Sequence, residues 1–460
     1  MYFNSLPFLI FILLIFCLYW LLPSGFSKYT LLGANIVFIS LFGIKVILWA
    51  VGISFVGFIF GRIIYKTTSG KRRVYLILST AIIALSLFLN KYLSFFSITF
   101  KDVLIPIGMS FYSFRNISYL VDVYKDKTYQ NNLVSYLNYS LFFPSFSSGP
   151  IDRAGDLSLQ LTSRKEFNYE VVTKGLMLFL WGLFKKIVVA AHMNQYTDWV
   201  FNDLASHTGF TLLFVSVLYT IQIYCDFSGY SDMAIGVANM LGISLKRNFL
   251  NPYGSTSITD FWRRWHISLS SWLKDYVYIP LGGSRCSKTK NYLNIMITFL
   301  VSGVWHGATL NYVIWGLGHG LCQVVEKGLG LKNPTKGTVR VIRIVITLLI
   351  VNFLWVVFRL TDFNDIAYFF SHMVVGISNP LEYVMSTQRK LHIDFMTLCR
   401  LLLISLGVLM YDYYDEKNDL ISKIMKLSRT KRILLCVLFG IVLFLLLPVE
   451  PATDYIYFQF

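Results

Sequence analysis

The sequence predicts an all-α polytopic membrane protein, and three observations carry that prediction. Of its 460 residues, 55% are hydrophobic and 14% are charged, whereas a soluble domain carries about 25% charged residues. Mean hydropathy is +0.59. The apolar residues fall into repeated runs approaching the roughly 20 residues that a membrane span needs, and no stretch between them is long or polar enough to form a separate soluble domain. The chain reads as a single integral-membrane domain over 1–460, without internal repeats or low-complexity linkers.

Taken in order, the first apolar segments are Phe3–Leu22, Thr30–Ile44 and Val46–Ile64. The N-terminal run has no basic leader and no small-residue cleavage site, so it is expected to be retained as a span rather than removed as a signal peptide. The basic loop Tyr65–Arg73 is expected on the cytoplasmic side. Val74–Leu89 and Val103–Val123 follow. Tyr136–Phe146 is short enough to be re-entrant or buried instead of spanning. After the polar stretch Asp152–Glu170 come Val172–Ala191, Phe210–Tyr224, Gly229–Leu245, Tyr292–Trp305, Asn311–Val325, Ile344–Phe358, Phe395–Met410 and Ile433–Leu447. Allowing for runs that do not cross fully, this amounts to about eleven to thirteen membrane-embedded segments.

The net charge is +17, from 41 basic and 24 acidic residues. In a soluble protein that excess would suggest nucleic-acid binding. Here the basic residues lie in short loops between apolar runs, which argues for orientation by the positive-inside rule and for attraction to anionic lipid or an anionic cofactor; no nucleic-acid partner is expected. The loops Lys327–Arg343 and Glu416–Arg432 are basic and read as inside. Thr361–Lys390 carries Asp362, Asp365 and Glu382, and the tail PVEPATDYIYFQF has no basic residue; both read as outside. The six cysteines form no CxxC, several sit in apolar runs, and they read as reduced packing or loop residues.

The chemistry is concentrated between Ser257 and Gly320, where three histidines, two adjacent arginines and a group of tryptophans interrupt an otherwise apolar chain. Ser257 followed by Asp260 fits a helix start, and Pro280 fits its end. Phe261, Trp265, Leu269, Trp272 and Tyr276 recur at helical spacing, with Arg264, Ser271, Lys274 and Asp275 opposite. The spacing predicts one amphipathic helix at a membrane boundary or on a bundle. His266 falls on its apolar side, where a buried histidine satisfied by a hydrogen bond is one reading and a functional group the other.

His306 ends an uncharged run that begins at Tyr292. It lies sixteen residues beyond Lys290, about 24 Å along a helix, while the hydrocarbon core is about 30 Å thick. That depth makes it a functional candidate, and a neutral imidazole suits general-base work. A structural histidine bonded to a neighbouring helix fits the spacing equally. Gly303 and Gly307, on either side, permit the close approach of a helix or a ligand. His319 lies in GLGHG. No histidine pair has i,i+4 spacing and no carboxylate is in phase with them, so no metal site is expected. Asp152 and Arg153, Lys185 and Lys186, and Asp226 and Asp232 are further charged outliers that suit snorkelling or helix pairing. The loop Gly282–Asn291 is a basic run that suits either orientation or phosphate attraction.

These residues resemble a known family. FWRRWHISLSSWLKDYVYIPLGGSR followed by VSGVWHGATLNYVIWGLGHG is similar to the membrane-bound O-acyltransferase (MBOAT) superfamily, in particular its branch of bacterial alginate O-acetylation proteins and peptidoglycan O-acetyltransferases. PIGMSFYSFRNISYLVDVYKDK, FFPSFSSGPIDR, GLFKKIVVA, YCDFSGYSDMAIGVANMLGI, WVVFR and the terminal IYFQF extend the likeness over nearly the whole chain. SFYSFRNISY departs from the pattern, with Arg115–Asn116 where relatives more often carry a glutamine.

The resemblance implies an MBOAT fold: a ring of tilted or re-entrant helices around a central tunnel, with a catalytic core at about 100–330. It implies a multi-pass protein of the bacterial cell (inner) membrane. The family's catalytic histidine corresponds to His306 and the upstream histidine of its R-R-W-H motif to His266. No bound cofactor is implied. The donor substrate is acetyl-CoA from the cytoplasm, with Arg263, Arg264 and Lys274 as candidates for its phosphates. An extracytoplasmic SGNH-type, esterase-like partner completes transfer to a polysaccharide. Readings left open are an MBOAT that takes its acyl group from a carrier protein, as in teichoic-acid D-alanylation, a transporter with His306 as proton relay, and a structural subunit that recruits a partner.

Overall fold

A computed structural model describes residues 3–68, 70–92, 108–162, 164–331 and 336–447. The front of the expected Val103–Val123 segment, part of the Lys327–Arg343 loop, and the tail with its IYFQF motif lie outside the described residues. Within them the chain is helical, with no strand. It divides into two compact units, Met1–Gly182 with Tyr230–Asn248, and Leu183–Gly229 with Phe249–Phe460.

The first unit holds α1 (Leu6–Leu21), α2 (Ser27–Ser40), α3 (Ile44–Lys66), α4 (Lys71–Tyr92), α5 (Met109–Tyr124), α6 (Leu133–Ser140), α7 (Ala154–Thr162) and most of α8 (Tyr169–Phe184). Ser5 caps α1, accepting from the Phe8 amide at 3.4 Å, and Pro7 in the first turn removes an amide that would have no helical partner there. Phe3 stacks on Phe8 at 4.3 Å and on Tyr230 at 4.7 Å to form an aromatic core.

Tyr136–Phe146 is α6 followed by a buried turn, so it does not form a span. Two groups hold that turn in place. Asn35 accepts from the Phe143 amide at 2.9 Å. The fully buried Arg115 donates to the Ser140 carbonyl at 3.2 Å and to the Ser145 carbonyl and hydroxyl. The Arg115 guanidinium is therefore spent on the backbone of this buried turn.

The second unit begins at the end of α8, where a π-helical turn, Lys185–Ala190, joins it to α9 (Ala191–Asn202). One helix, α10 (Phe210–Met240), replaces the two expected segments Phe210–Tyr224 and Gly229–Leu245. The polar residues between them stay helical because Asp226, buried, is ion-paired with the buried Lys186. Residues up to Gly229 belong to the second unit and the remainder to the first.

The single helix expected from Ser257 to Ile279 is also corrected. It is broken into α11 (Ile258–Arg264) and α12 (Ile267–Leu273), followed by a π-helical turn, Lys274–Tyr278. The break is made by two residues: Trp265 is extended, at φ −101° and ψ +130°, and His266 adopts φ +44° and ψ +53°, a left-handed conformation that histidine enters more readily than most side chains. The unit continues with α13 (Lys288–His306), α14 (Leu310–Gly328), α15 (Thr338–Arg359), α16 (Phe363–His372), α17 (Pro380–Lys390), α18 (Phe395–Asn418), α19 (Leu420–Met425) and α20 (Arg429–Leu445).

Among the described residues, six helical stretches are long and apolar enough to cross a membrane: α3, α4, Tyr169–Asn202, α10, α15 and α18. The chain is an all-α multi-pass membrane protein.

Candidate functional site

The site lies in the second unit and is framed by the α13–α14 hairpin. Glycines bring the two helices together. A Cβ on Gly303 would lie 2.3 Å from the Tyr312 carbonyl oxygen, and one on Gly307 would lie 2.2 Å from a Tyr312 ring carbon. No side chain fits in either place. The close approach expected of Gly303 and Gly307 is thus made by α14.

His306 is the last residue of α13 and is 4% exposed. The rings of Trp315 and Phe358 meet it edge-on, each at 5.0 Å between centroids, and Tyr312 is 6.2 Å away. His266, 1% exposed, comes in from the α11–α12 break. Its ring is perpendicular to Phe227 at 4.7 Å and 6.4 Å from Trp305, which itself lies 4.6 Å from His306. The structure therefore brings both predicted histidines to the same indole. Burial pushes the His266 imidazole, which lies between helices rather than in a span, down to about 3. It is neutral at physiological pH.

His319 meets a second indole that His306 also meets, Trp315. It is fully buried on α14 among Trp262, Trp315 and Phe261, at 5.1, 5.1 and 6.1 Å, and neither ring nitrogen has a hydrogen-bond partner. Among the described residues, no three His, Cys, Asp or Glu side chains gather into a possible metal site.

A cavity of about 670 Å³ opens between α11, α12, α13 and α14, with Ile267, the residue after His266, and Ser302, one turn before His306, in its lining. Arg263, Lys274 and Lys327 supply positive charge, Glu326 supplies a carboxylate, and Ser270, Ser271, Thr298 and Ser302 supply hydroxyls. The cavity follows α13 from Ile295 to Ser302, about 10 Å at 1.5 Å per residue. Ser302 is 1% exposed, and its hydroxyl has no protein partner. It lies one helical turn before His306, on the same face.

Glu326 ties the parts together. Its carboxylate accepts from the Thr259 amide at 3.0 Å, from the Thr259 hydroxyl at 2.9 Å and from the Ile258 amide at 2.5 Å. These include the free amides that begin α11, so a residue of the histidine-bearing hairpin anchors the element leading to His266.

Two of the three cationic candidates, Arg263 and Lys274, line the cavity; Arg264 does not. Its guanidinium is ion-paired with Asp260 at 3.0 Å and with Glu416 at 2.6 Å. The basic loop Gly282–Asn291 contributes no cavity-lining cation; Asn291 and Asn294 donate to the Gly283 carbonyl at 2.7 and 3.1 Å and fix the loop to α13. Sequence reasoning missed Ser302, Glu326 and Lys327. The i,i+4 relation of Ser302 to His306 was a readable signal. The capping role of Glu326 depends on a tertiary contact and left none.

The same segments carry the likeness to known proteins. Residues 74–361 match the membrane-bound O-acyltransferase family, MBOAT. The probable alginate O-acetylase AlgI of Azotobacter vinelandii is 35% identical over 429 residues, covering 89% of this chain and 85% of that relative. The probable alginate O-acetylase AlgI of Pseudomonas syringae pv. tomato is 44% identical over 258 residues, 56% of this chain, and the match spans about half, 49%, of that relative. The peptidoglycan O-acetyltransferase of Helicobacter pylori is 33% identical over 376 residues, 73% of this chain and 71% of the relative. The family match takes in His266, His306 and every residue that lines the cavity, and on it this multi-pass chain belongs to the membrane-bound O-acyltransferase family.

Proposed function

We propose that this chain is a membrane O-acetyltransferase, an enzyme of the bacterial cell (inner) membrane. It takes an acetyl group from cytoplasmic acetyl-CoA and passes it across the membrane for O-acetylation of an extracytoplasmic polysaccharide of the alginate, peptidoglycan or exopolysaccharide type. The observation that carries this reading is the cationic, hydroxyl-lined cavity that ends one turn short of the buried His306. The names of the relatives support the acetyl group and the class of acceptor. The whole chain acts as one catalytic domain with its core at about 100–330.

In this mechanism Arg263 and Lys274, joined by Lys327, hold the phosphates of the donor as charge-assisted partners. His306 accepts the proton of the incoming hydroxyl. The hydroxyl oxygen attacks the thioester carbonyl, the carbon–sulfur bond breaks, and the proton passes from His306 to the departing CoA thiolate, so acid and base balance over the cycle. His266 orients the reacting groups or stabilises developing charge. An extracytoplasmic SGNH-type partner receives the acetyl group and completes transfer to the sugar.

The test uses membranes holding this chain and acetyl-labelled CoA. CoA release is followed in the wild type, His306→Ala and His266→Ala, with and without the SGNH-type partner. Release that depends on His306 supports the reading, and a requirement for the partner identifies the relay. No release from folded protein in any arm overturns the CoA donor and points to a carrier-protein donor, as in teichoic-acid D-alanylation.

A further inference from the structure

A second and larger concavity lies in the same unit, away from the histidines. Its volume is about 930 Å³, and α10, α15 and α18 form its walls. Its body is apolar, with Leu213, Val217, Val345, Leu348, Leu349 and Phe353 on the surface. Its polar end is built differently. Lys336 and Arg340 are the charged residues that line the groove, and Asn251 and Tyr413 lie with them.

An apolar groove in a membrane protein is filled by lipid tails in any case. Two features make this one selective. The first is charge. The acid facing Arg340 is Glu416, whose carboxylate is already held by Arg264 at 2.6 Å and Asn251 at 2.8 Å. Lys336 and Arg340 therefore leave the polar end with an excess of positive charge. Lys417 adds to it from behind, its ammonium 4.7 Å from the Tyr413 ring. The second is placement. Lys336 and Arg340 come from the basic segment Lys327–Arg343, and Glu416 and Lys417 open the basic segment Glu416–Arg432. The positive-inside rule puts both segments on the cytoplasmic side, so the cations stand at the depth of the inner-leaflet headgroups. From Arg340 to Phe353 along α15 is about 20 Å, enough to carry a headgroup contact and then an acyl chain through one leaflet, half of a core about 30 Å thick.

We infer that this groove is a binding site for an anionic glycerophospholipid of the cytoplasmic leaflet, its phosphate at Lys336 and Arg340 and one acyl chain lying along α15 against α10. The site is separate from the cavity beside His306 and does not depend on the reaction assigned to it. Each basic residue near the surface favours an anionic over a neutral lipid by roughly fivefold, so two acting together predict about 25-fold, and about tenfold is the least the site should show.

The test is native mass spectrometry of the full-length protein released from detergent micelles after titration with dioleoyl-phosphatidylglycerol or dioleoyl-phosphatidylcholine, which differ only in the headgroup. The wild type should retain phosphatidylglycerol about tenfold or more over phosphatidylcholine. Lys336→Gln with Arg340→Gln should reduce retention of phosphatidylglycerol to that of phosphatidylcholine. Val345→Trp, which fills the apolar floor and leaves the charges in place, should lower retention of both lipids. Glycerol phosphate, the head without the tails, should not compete. Each variant is measured on the fraction that elutes as the wild type does in size exclusion, so loss of fold is not counted as loss of lipid. Equal retention of the two lipids by the wild type, or an unchanged preference in the double variant, overturns the site. Full competition by glycerol phosphate overturns it in favour of a soluble-anion site.

Discussion

Gly303 and Gly316 meet back to back across the α13–α14 hairpin: a Cβ on Gly316 would stand 3.2 Å from the Gly303 Cα and 2.4 Å from the Phe299 carbonyl oxygen. Three residues past this contact α13 ends at His306, whose ring meets Trp315, the residue just before Gly316. The backbone contact thus sets where the imidazole stands against its aromatic walls. Gly316→Ala should cost about 1–3 kcal/mol through overpacking, seen as a lower thermal midpoint in detergent together with reduced acyl transfer. Gly328→Ala is the control, because a Cβ there meets only the Tyr292 hydroxyl at 3.7 Å. If both variants behave alike, the contact does not position the histidine.

The two adjacent arginines should separate. Arg263 lines the cavity, while Arg264 joins Asp260 and Glu416 in partly buried ion pairs. Arg263→Gln should raise the KM for the donor about tenfold, the loss of one charge-assisted contact, and leave the thermal midpoint unchanged. Arg264→Gln should lower the midpoint and leave donor KM near that of the wild type in the surviving protein. The reverse pattern would exchange their roles.

Much of this arrangement was legible in the sequence, because it rests on local signals. The apolar runs marked the membrane helices, and the Ser257 cap is present as expected, accepting from the Asp260 amide at 3.0 Å. Depth within an uncharged run marked His306 as a candidate, and the structure buries it at the end of α13. What stayed hidden depends on distant partners or on single torsions. The helical spacing of Phe261, Trp265, Leu269 and Trp272 continues unaltered through a break made by two residues, the extended Trp265 and the left-handed His266. Arg264 reads like Arg263 until Glu416, 152 positions away, is brought beside it. The lysine that keeps Asp226 inside α10 lies 40 positions upstream.

That buried pair makes its own prediction. Lys186 and Asp226 are each about 4% exposed in their side chains. Asp226→Asn withdraws a counter-charge from a buried ammonium and should cost about 3–5 kcal/mol, whereas Lys186→Met combined with Asp226→Leu should recover most of that loss. Denaturation of the single and double variants in the same detergent gives the comparison. Asp226 precedes Phe227, whose ring packs on His266. Transfer rate in the recovered double variant therefore reports whether the pair also positions the histidine: an unchanged rate would limit it to stability.

The two histidines should differ in their pH behaviour. His266 is held at about 3 by burial, against about 6.5 for an ordinary imidazole. A depressed imidazole contributes stability that is full above about 6.5 and is lost as the pH falls from there toward 3. Between pH 5 and 8 it is neutral in the folded protein and cannot produce an acid limb in the rate profile. His266→Gln, which keeps a polar side chain of similar reach, should lower transfer by the same factor at every pH in that window and leave the shape of the profile unchanged. His306→Gln removes the proposed base and should abolish transfer throughout, the general-base contribution being about 10²–10⁴-fold. A profile whose shape changes in His266→Gln would make His266 a titrating group and exchange the roles assigned to the two imidazoles that meet Trp305.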